Sequence, residues 1–402
     1  MRKATLGFIF ALVAMDILAM GIIIPVLPKL VERFLGGDTA RAAQMYGFFA
    51  TAWGVMQFIS MPVLGMLSDR FGRRPVILVS CLGLGLDYFL MALAPNLAWL
   101  FVGRLISGIT AASISTAFAY IADVTAPEKR AGAFGLMGAA FGVGFVIGPA
   151  LGGVLGGFDP RLPFWVAGVL ALVNAAYGLF VLPESLPREK RAAFAWKRAN
   201  PVGSLKLLRS HRELFGLAAV LFLMNLAHVV LPSVAVLYMG YRYGWGELAV
   251  GLVLAGVGVC AMVVQGGLVG KVVPRIGERR ALAIGLFFGA LGFFMYGLAP
   301  TGLLFLAAIP VMSLWGFAAP SAQALMTRHV GASEQGQLQG ANASLMSLAG
   351  IFGPGLFSQT FAATLDALPG AAFLLAGVLL LLAMAIGLRV TAASAVTQPR
   401  PS

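Results

Sequence analysis

Charge is what this 402-residue chain has least of. Asp, Glu, Lys and Arg together make up 11% of it, against 60% hydrophobic residues, and only 15 residues are acidic. Soluble domains carry about 25% charged residues, so a water-soluble globular fold is excluded. Cysteine is nearly absent: Cys81 and Cys260 both fall inside apolar runs, where neither a disulfide nor a metal site is expected. There are three histidines and no His/Cys cluster at metal-ligand spacing. No Gly-rich loop ends in Lys-Ser/Thr, which argues against an ATP-driven pump. Nothing supports catalysis, and no cofactor is expected.

What the chain has in excess is apolar length. Twelve runs, the first at about 5–27 and the last at about 368–388, are each long enough to cross a hydrocarbon core of about 30 Å. The expectation is an all-α integral membrane protein of twelve spans. Its 51 glycines suit helices that pack closely in lipid. The net charge of +13 invites a nucleic-acid partner, but the placement of the basic residues rejects one. With odd-numbered spans running outward, the cytoplasmic segments hold Arg2, Lys3, Arg70, Arg73, Arg74, Lys129, Arg130, Lys271, Arg275, Arg279, Arg280, Arg328 and a basic connector. The external loops hold only Lys29, Arg33, Arg41, Arg161 and Arg242. That asymmetry is the positive-inside rule and puts both termini in the cytoplasm. The first run is too long for a signal peptide, is interrupted by Asp16 and lacks a small-residue cleavage site, so it is expected to be a retained span.

A short basic loop, Gly65-Met-Leu-Ser-Asp-Arg-Phe-Gly-Arg-Arg-Pro75, separates two of the runs. Gly65, Arg70 and Gly72 recur 205 positions on as Gly270, Arg275 and Gly277, and the same offset carries Gly148-Pro149 onto Gly353-Pro354. Two unrelated features with one offset indicate a duplicated chain. The expected division is 1–182 as one six-helix half, 183–212 as a cytoplasmic connector, 213–390 as the second half and 391–402 as a tail. The connector is rich in Pro, Lys and Arg, includes Glu184 and Glu189, and has Phe194 and Trp196 as a weak amphipathic signal.

Ionisable residues inside spans are costly and by default functional. Asp16 lies eleven residues into the first run, about 16 Å deep at 1.5 Å per residue. Gln57 in the second span falls at a comparable depth. Asp87 and Arg104 flank the Pro95-Asn96 turn at similar distances, which puts them level on neighbouring helices. They are expected to pair, either structurally or as part of a transport path. Asp16 has no obvious basic partner and is expected to take up protons, with Asp87 and His228 as the other midspan carriers. At the cytoplasmic face, Asp123 should lie close enough to pair with the Arg70, Arg73 and Arg74 cluster. Gly65 and Gly72 suit tight turns or close backbone approach. Gly144, Gly148, Pro149 and Gly152 form a small-residue face with a helix-bending proline, mirrored at Gly353 and Pro354.

Two parallel halves with midplane carboxylates describe a secondary transporter. Along its whole length the chain resembles the major facilitator superfamily, specifically its drug/proton antiporters. The loop Gly65-x3-Asp69-Arg70-x-Gly72-Arg73-Arg74, the span 4 pattern Leu100-x3-Arg104-x3-Gly108 and the span 5 pattern Gly144-x3-Gly148-Pro149-x2-Gly152-Gly153 carry the resemblance. Met15-Asp16, Leu86-Asp87-Tyr88, Tyr243-Gly-Trp245 and Gln337-Leu-Gln-Gly340 are similar to tetracycline/proton antiporters. The resemblance implies efflux of a tetracycline chelated to a divalent cation as a proton enters, by a monomer in the inner membrane. It implies that Asp16, Gln57, Asp87 and Arg104 line the substrate path, and that Asp69, Arg73 and Asp123 form a cytoplasmic latch. The family usually has a histidine in span 8 and an acid in span 9; this sequence has Ala261 and Gly289 there. Export of another small molecule, proton-independent movement and a non-transporting receptor or scaffold are the alternative readings.

Overall fold

Turn residues cut the apolar chain into helices where their chemistry dictates. The computed structural model describes residues 6–110, 113–126, 129–191, 207–208, 212–331 and 334–397. The amphipathic stretch expected around Phe194 and Trp196 lies outside these residues, as do Arg2 and Lys3. In the first half the helices are α1 (Leu6–Ile23), α2 (Leu27–Phe34), α3 (Thr39–Phe71), α4 (Arg73–Leu93), α5 (Leu97–Thr110), α6 (Ser113–Val124), α7 (Arg130–Phe158) and α8 (Leu162–Phe180). The second half follows with α9 (Arg212–His228), α10 (Val230–Tyr243), α11 (Glu247–Met262), α12 (Val269–Ile276) and α13 (Glu278–Leu298). It ends with α14 (Gly302–Ser313), α15 (Ala318–Thr327), α16 (Gln335–Thr364) and α17 (Ala371–Thr397).

The starts are capped by the expected residue types. The Asp38 side chain accepts from the Arg41 N–H at 2.9 Å before α3, and Asn96 accepts from the Trp99 N–H at 3.3 Å before α5. Thr301, 205 positions after Asn96, accepts from Leu304 before α14. Each cap satisfies an orphan backbone donor of the first turn.

The duplication extends beyond caps. The bounds of α4 and α13 differ by 205 at both ends, and the glycine before each has positive φ: 107° at Gly72 and 81° at Gly277. Packing repeats as well. In the first half α1 packs on α7 and α8, and α4 on α5, α6 and α8; in the second, α9 packs on α16 and α17, and α13 on α14, α15 and α17. The described chain falls into two compact units, Met1–Ala199 with Gly244–Gly258, and Asn200–Tyr243 with Val259–Ser402. Residues 244–258 join the first unit because the start of α11 seats against α7: a Cβ on Gly153 would stand 2.6 Å from the Glu247 carbonyl oxygen. Glu247 also pairs with Arg33 at 2.6 Å.

Eleven of the helical stretches are long and apolar enough to cross a membrane. The twelfth expected span, about 336–362, is a continuous 30-residue helix, α16, whose composition is more polar than the others. Large apolar side chains such as Phe158, Phe180 and Leu303 stand at least 77% exposed on the helix surfaces. Helices apolar on both buried and exposed faces are those of a protein solvated by lipid.

Candidate functional site

Four helices of the first unit, α1, α3, α4 and α5, carry the residues expected along the path. Asp16 is buried on α1, and its Oδ2 accepts from the Ser113 hydroxyl on α6 at 2.5 Å. Ser113 was not legible as a partner, because it is a short polar residue in an apolar stretch with no charge to mark it. Asp87 is buried on α4 against α5, where a Cβ on Gly103 would lie 2.8 Å from its Oδ1. It is therefore level with Arg104, as expected.

No hydrogen bond or ion pair joins the two side chains, although the Arg104 charge acts on Asp87. Neither Asp87 oxygen accepts a hydrogen bond, and the Arg104 guanidinium lies over the Trp53 ring of α3 at 5.4 Å. An aromatic face competes for a partly desolvated guanidinium, and sequence spacing fixes the level of a side chain but not its direction. Gln57 is half-buried one helical turn beyond Trp53. The first unit thus gathers an unpartnered carboxyl, a hydroxyl-bound carboxyl, a cation over an indole and an amide.

The latch residues meet at the ends of α3, α4, α6 and α8. Arg73 binds Asp69 at 2.6 Å and Asp123 at 3.1 Å, and also donates to the Ser68 hydroxyl at 2.6 Å. Arg74 donates to the carbonyls of Gly178 and Leu179 at the end of α8. Arg70 is exposed, with its guanidinium over Phe71 at 5.2 Å.

The acid that completes this cluster is Glu184. Its carboxylate accepts from the backbone N–H groups of Arg73 at 2.9 Å and Arg74 at 3.2 Å, and from Ser185 and Leu186 at 3.0 Å each. It caps α4 from 110 residues away, at the positive end of the helix. Gly72 permits this twice over: its φ of 107° is left-handed, and a Cβ there would collide with the Glu184 carboxylate. The signal was present in the sequence, since a helix opening on Gly-Arg-Arg has no side-chain cap of its own. Gly65 departs from expectation. It lies within α3, and a Cβ on it would meet nothing within 4 Å, so neither a turn nor a close approach requires it.

The glycines of α7 are packing positions against α1. A Cβ on Gly144 would stand 2.5 Å from the Ile17 side chain, one on Gly148 would stand 2.6 Å from the Gly21 Cα, and one on Gly152 would collide with the Ile22 carbonyl. α7 continues through Pro149, and α16 through Pro354, while Gly353 presses on Val229.

In the second unit the latch repeats with its charges exchanged. Arg73 and Asp123 map by the offset onto Glu278 and Arg328, which form an ion pair at 2.5 Å. Nothing acidic replaces the missing span 9 carboxylate: at Gly289 the neighbouring space is filled by the Trp315 indole, whose Cγ would be 2.8 Å from an added Cβ. His228 is exposed beside Trp315, the ring centroids 5.6 Å apart.

Duplicated helical halves of membrane-crossing length, with buried carboxyls in the interior of the first, define a membrane transporter and not an enzyme. The chain belongs to the Major Facilitator Superfamily, which it matches over residues 9–354. It is 38% identical to the class C tetracycline resistance protein of Escherichia coli over 94% of both chains. It is 36% identical to the class G tetracycline resistance protein of Vibrio anguillarum, over 93% of this chain and 95% of that one. In fold it is similar to a bacterial homolog of the human lysosomal transporter Spinster, with a TM-score of 0.76 at 14% identity over 99% of this chain and 98% of that one.

Proposed function

We propose that this transporter exports a tetracycline-like drug in exchange for protons, as a monomer in the inner membrane with both termini cytoplasmic. A divalent cation chelated by the drug would travel with it as substrate. The observation that carries the reading is Asp87. Both of its oxygens are buried acceptors without a donor, so an incoming proton or a positively charged substrate group finds them free. Asp16 is the second carrier, and its Ser113 hydrogen bond gives it an alternative partner when the proton leaves. Arg104 and Gln57 line the same path, with the guanidinium parked on Trp53 until substrate draws it away. The cluster of Asp69, Arg73, Asp123 and Glu184 controls opening and contacts no substrate. Similarity to tetracycline resistance proteins over nearly the full chain supports the choice of drug.

Accumulation of tetracycline in a drug-sensitive bacterium tests this. Cells expressing the wild type should hold several-fold less drug than control cells, and a protonophore should remove the difference. Lower accumulation that survives the protonophore would indicate the proton-independent alternative. Equal accumulation with and without the transporter would contradict the proposal.

A further inference from the structure

Three membrane-crossing stretches are interrupted within the second unit, and each interruption presents a polar side chain. α9 ends at His228 and α10 begins at Val230. Pro232 has no N–H to offer the carbonyl four residues back, which is that of His228, so the helix opens there. Between α11 and α12, residues Val263–Leu268 form a π-helix that carries Gln265. Between α14 and α15, a 3-10 turn over Leu314–Phe317 carries Trp315.

Two of these side chains meet, and the third packs on the residue that follows Trp315. Trp315 lies 5.6 Å from the His228 ring, and the Gln265 Cγ and Nε2 lie 3.2 and 3.9 Å from where a Cβ on Gly316 would stand. Trp315 is held in place by Phe293, edge to face at 5.5 Å, and by the gap at Gly289. Its indole N–H is buried and has no acceptor, while His228 and Gln265 are exposed. Irregular backbone at membrane depth persists only where protein or a water-filled cavity satisfies it, and interrupted helices are where transporters coordinate their substrates.

We infer that His228, Gln265 and Trp315 form a ligand subsite for a planar aromatic ring edged with oxygen acceptors. The indole N–H and the glutamine amide donate to the oxygens, and the two rings offer faces for stacking. The four acidic residues of this unit, Glu213, Glu278, Glu334 and Asp366, all stand at helix ends. The subsite therefore contributes ring and amide contacts and no carboxylate, whatever charge the rest of the ligand carries. It rests on the export reading only for the choice of first probe.

The test is equilibrium dialysis of the purified protein against two probes, tetracycline with Mg2+ and 3-hydroxy-2-naphthoate, an aromatic oxygen ligand unrelated to the drug. Trp315→Phe keeps a ring and loses the donor; Gln265→Leu loses the amide. Each should weaken binding about five- to tenfold, the effect of one lost hydrogen bond. Trp315→Phe should also lose the share of ligand-induced quenching that Trp315 contributes, leaving that of the other tryptophans. If both variants bind tetracycline as the wild type does, the subsite is overturned and the export reading stands. If the wild type binds only the naphthoate, and the variants weaken that, the subsite stands and the tetracycline reading falls. Binding of neither probe overturns the subsite. Should Trp315→Phe fail to fold, Gln265→Leu decides alone.

Discussion

Asp87 and Glu184 are carboxylates of the same unit, and their surroundings give them opposite roles. Glu184 accepts four backbone N–H groups and fixes the start of α4; Asp87 accepts none, which is why the proposed transport gives it the proton. Charge-assisted hydrogen bonds of the first kind are worth about 1.5–3 kcal/mol. Glu184→Gln should therefore lower stability by about 1–3 kcal/mol, read as a drop in melting temperature in detergent, while tetracycline binding persists. Unchanged melting would show that the cap contributes nothing. The sequence marked Asp16, Asp87 and Arg104 because a charge inside an apolar run stands out. It could not mark Ser113 or Trp53, whose residue types are ordinary in a membrane helix. The missing Asp87–Arg104 hydrogen bond has the same origin: a side chain's direction depends on competitors on neighbouring helices, here Trp53 on α3.

At the scale of elements, the 205-residue offset was visible in a handful of identities and holds in caps, helix bounds and left-handed glycines. The exchanged charges of Arg73–Asp123 and Glu278–Arg328 escaped an identity comparison, because the repeat conserves the attraction and not the residue types. The second pair is largely exposed on the arginine side and is worth at most about 1 kcal/mol to stability. Its role should instead be read in transport. Glu278→Arg places like charges together and should slow tetracycline efflux; Glu278→Arg combined with Arg328→Glu should recover most of the rate. A double variant as slow as the single one would show that the contact does not matter as a pair.

For the whole molecule, the duplication and the span count follow from patterns that repeat over tens of residues, which is why the fold was legible. The helix interruptions of the second unit were not, since a π-turn at Val263–Leu268 and a 3-10 turn at Leu314–Phe317 leave little trace in composition. Nor was the seating of residues 244–258 with the first unit, which depends on glycines meeting face to face. With no acidic residue inside the described spans of the second unit, the proposed proton exchange would run through the carboxyls of the first. Proton release on drug addition to everted membrane vesicles measures this directly. The wild type should release protons when tetracycline and Mg2+ are added. Asp87→Asn should release none, even where the variant still binds the drug. Proton release by Asp87→Asn equal to the wild type would contradict the account.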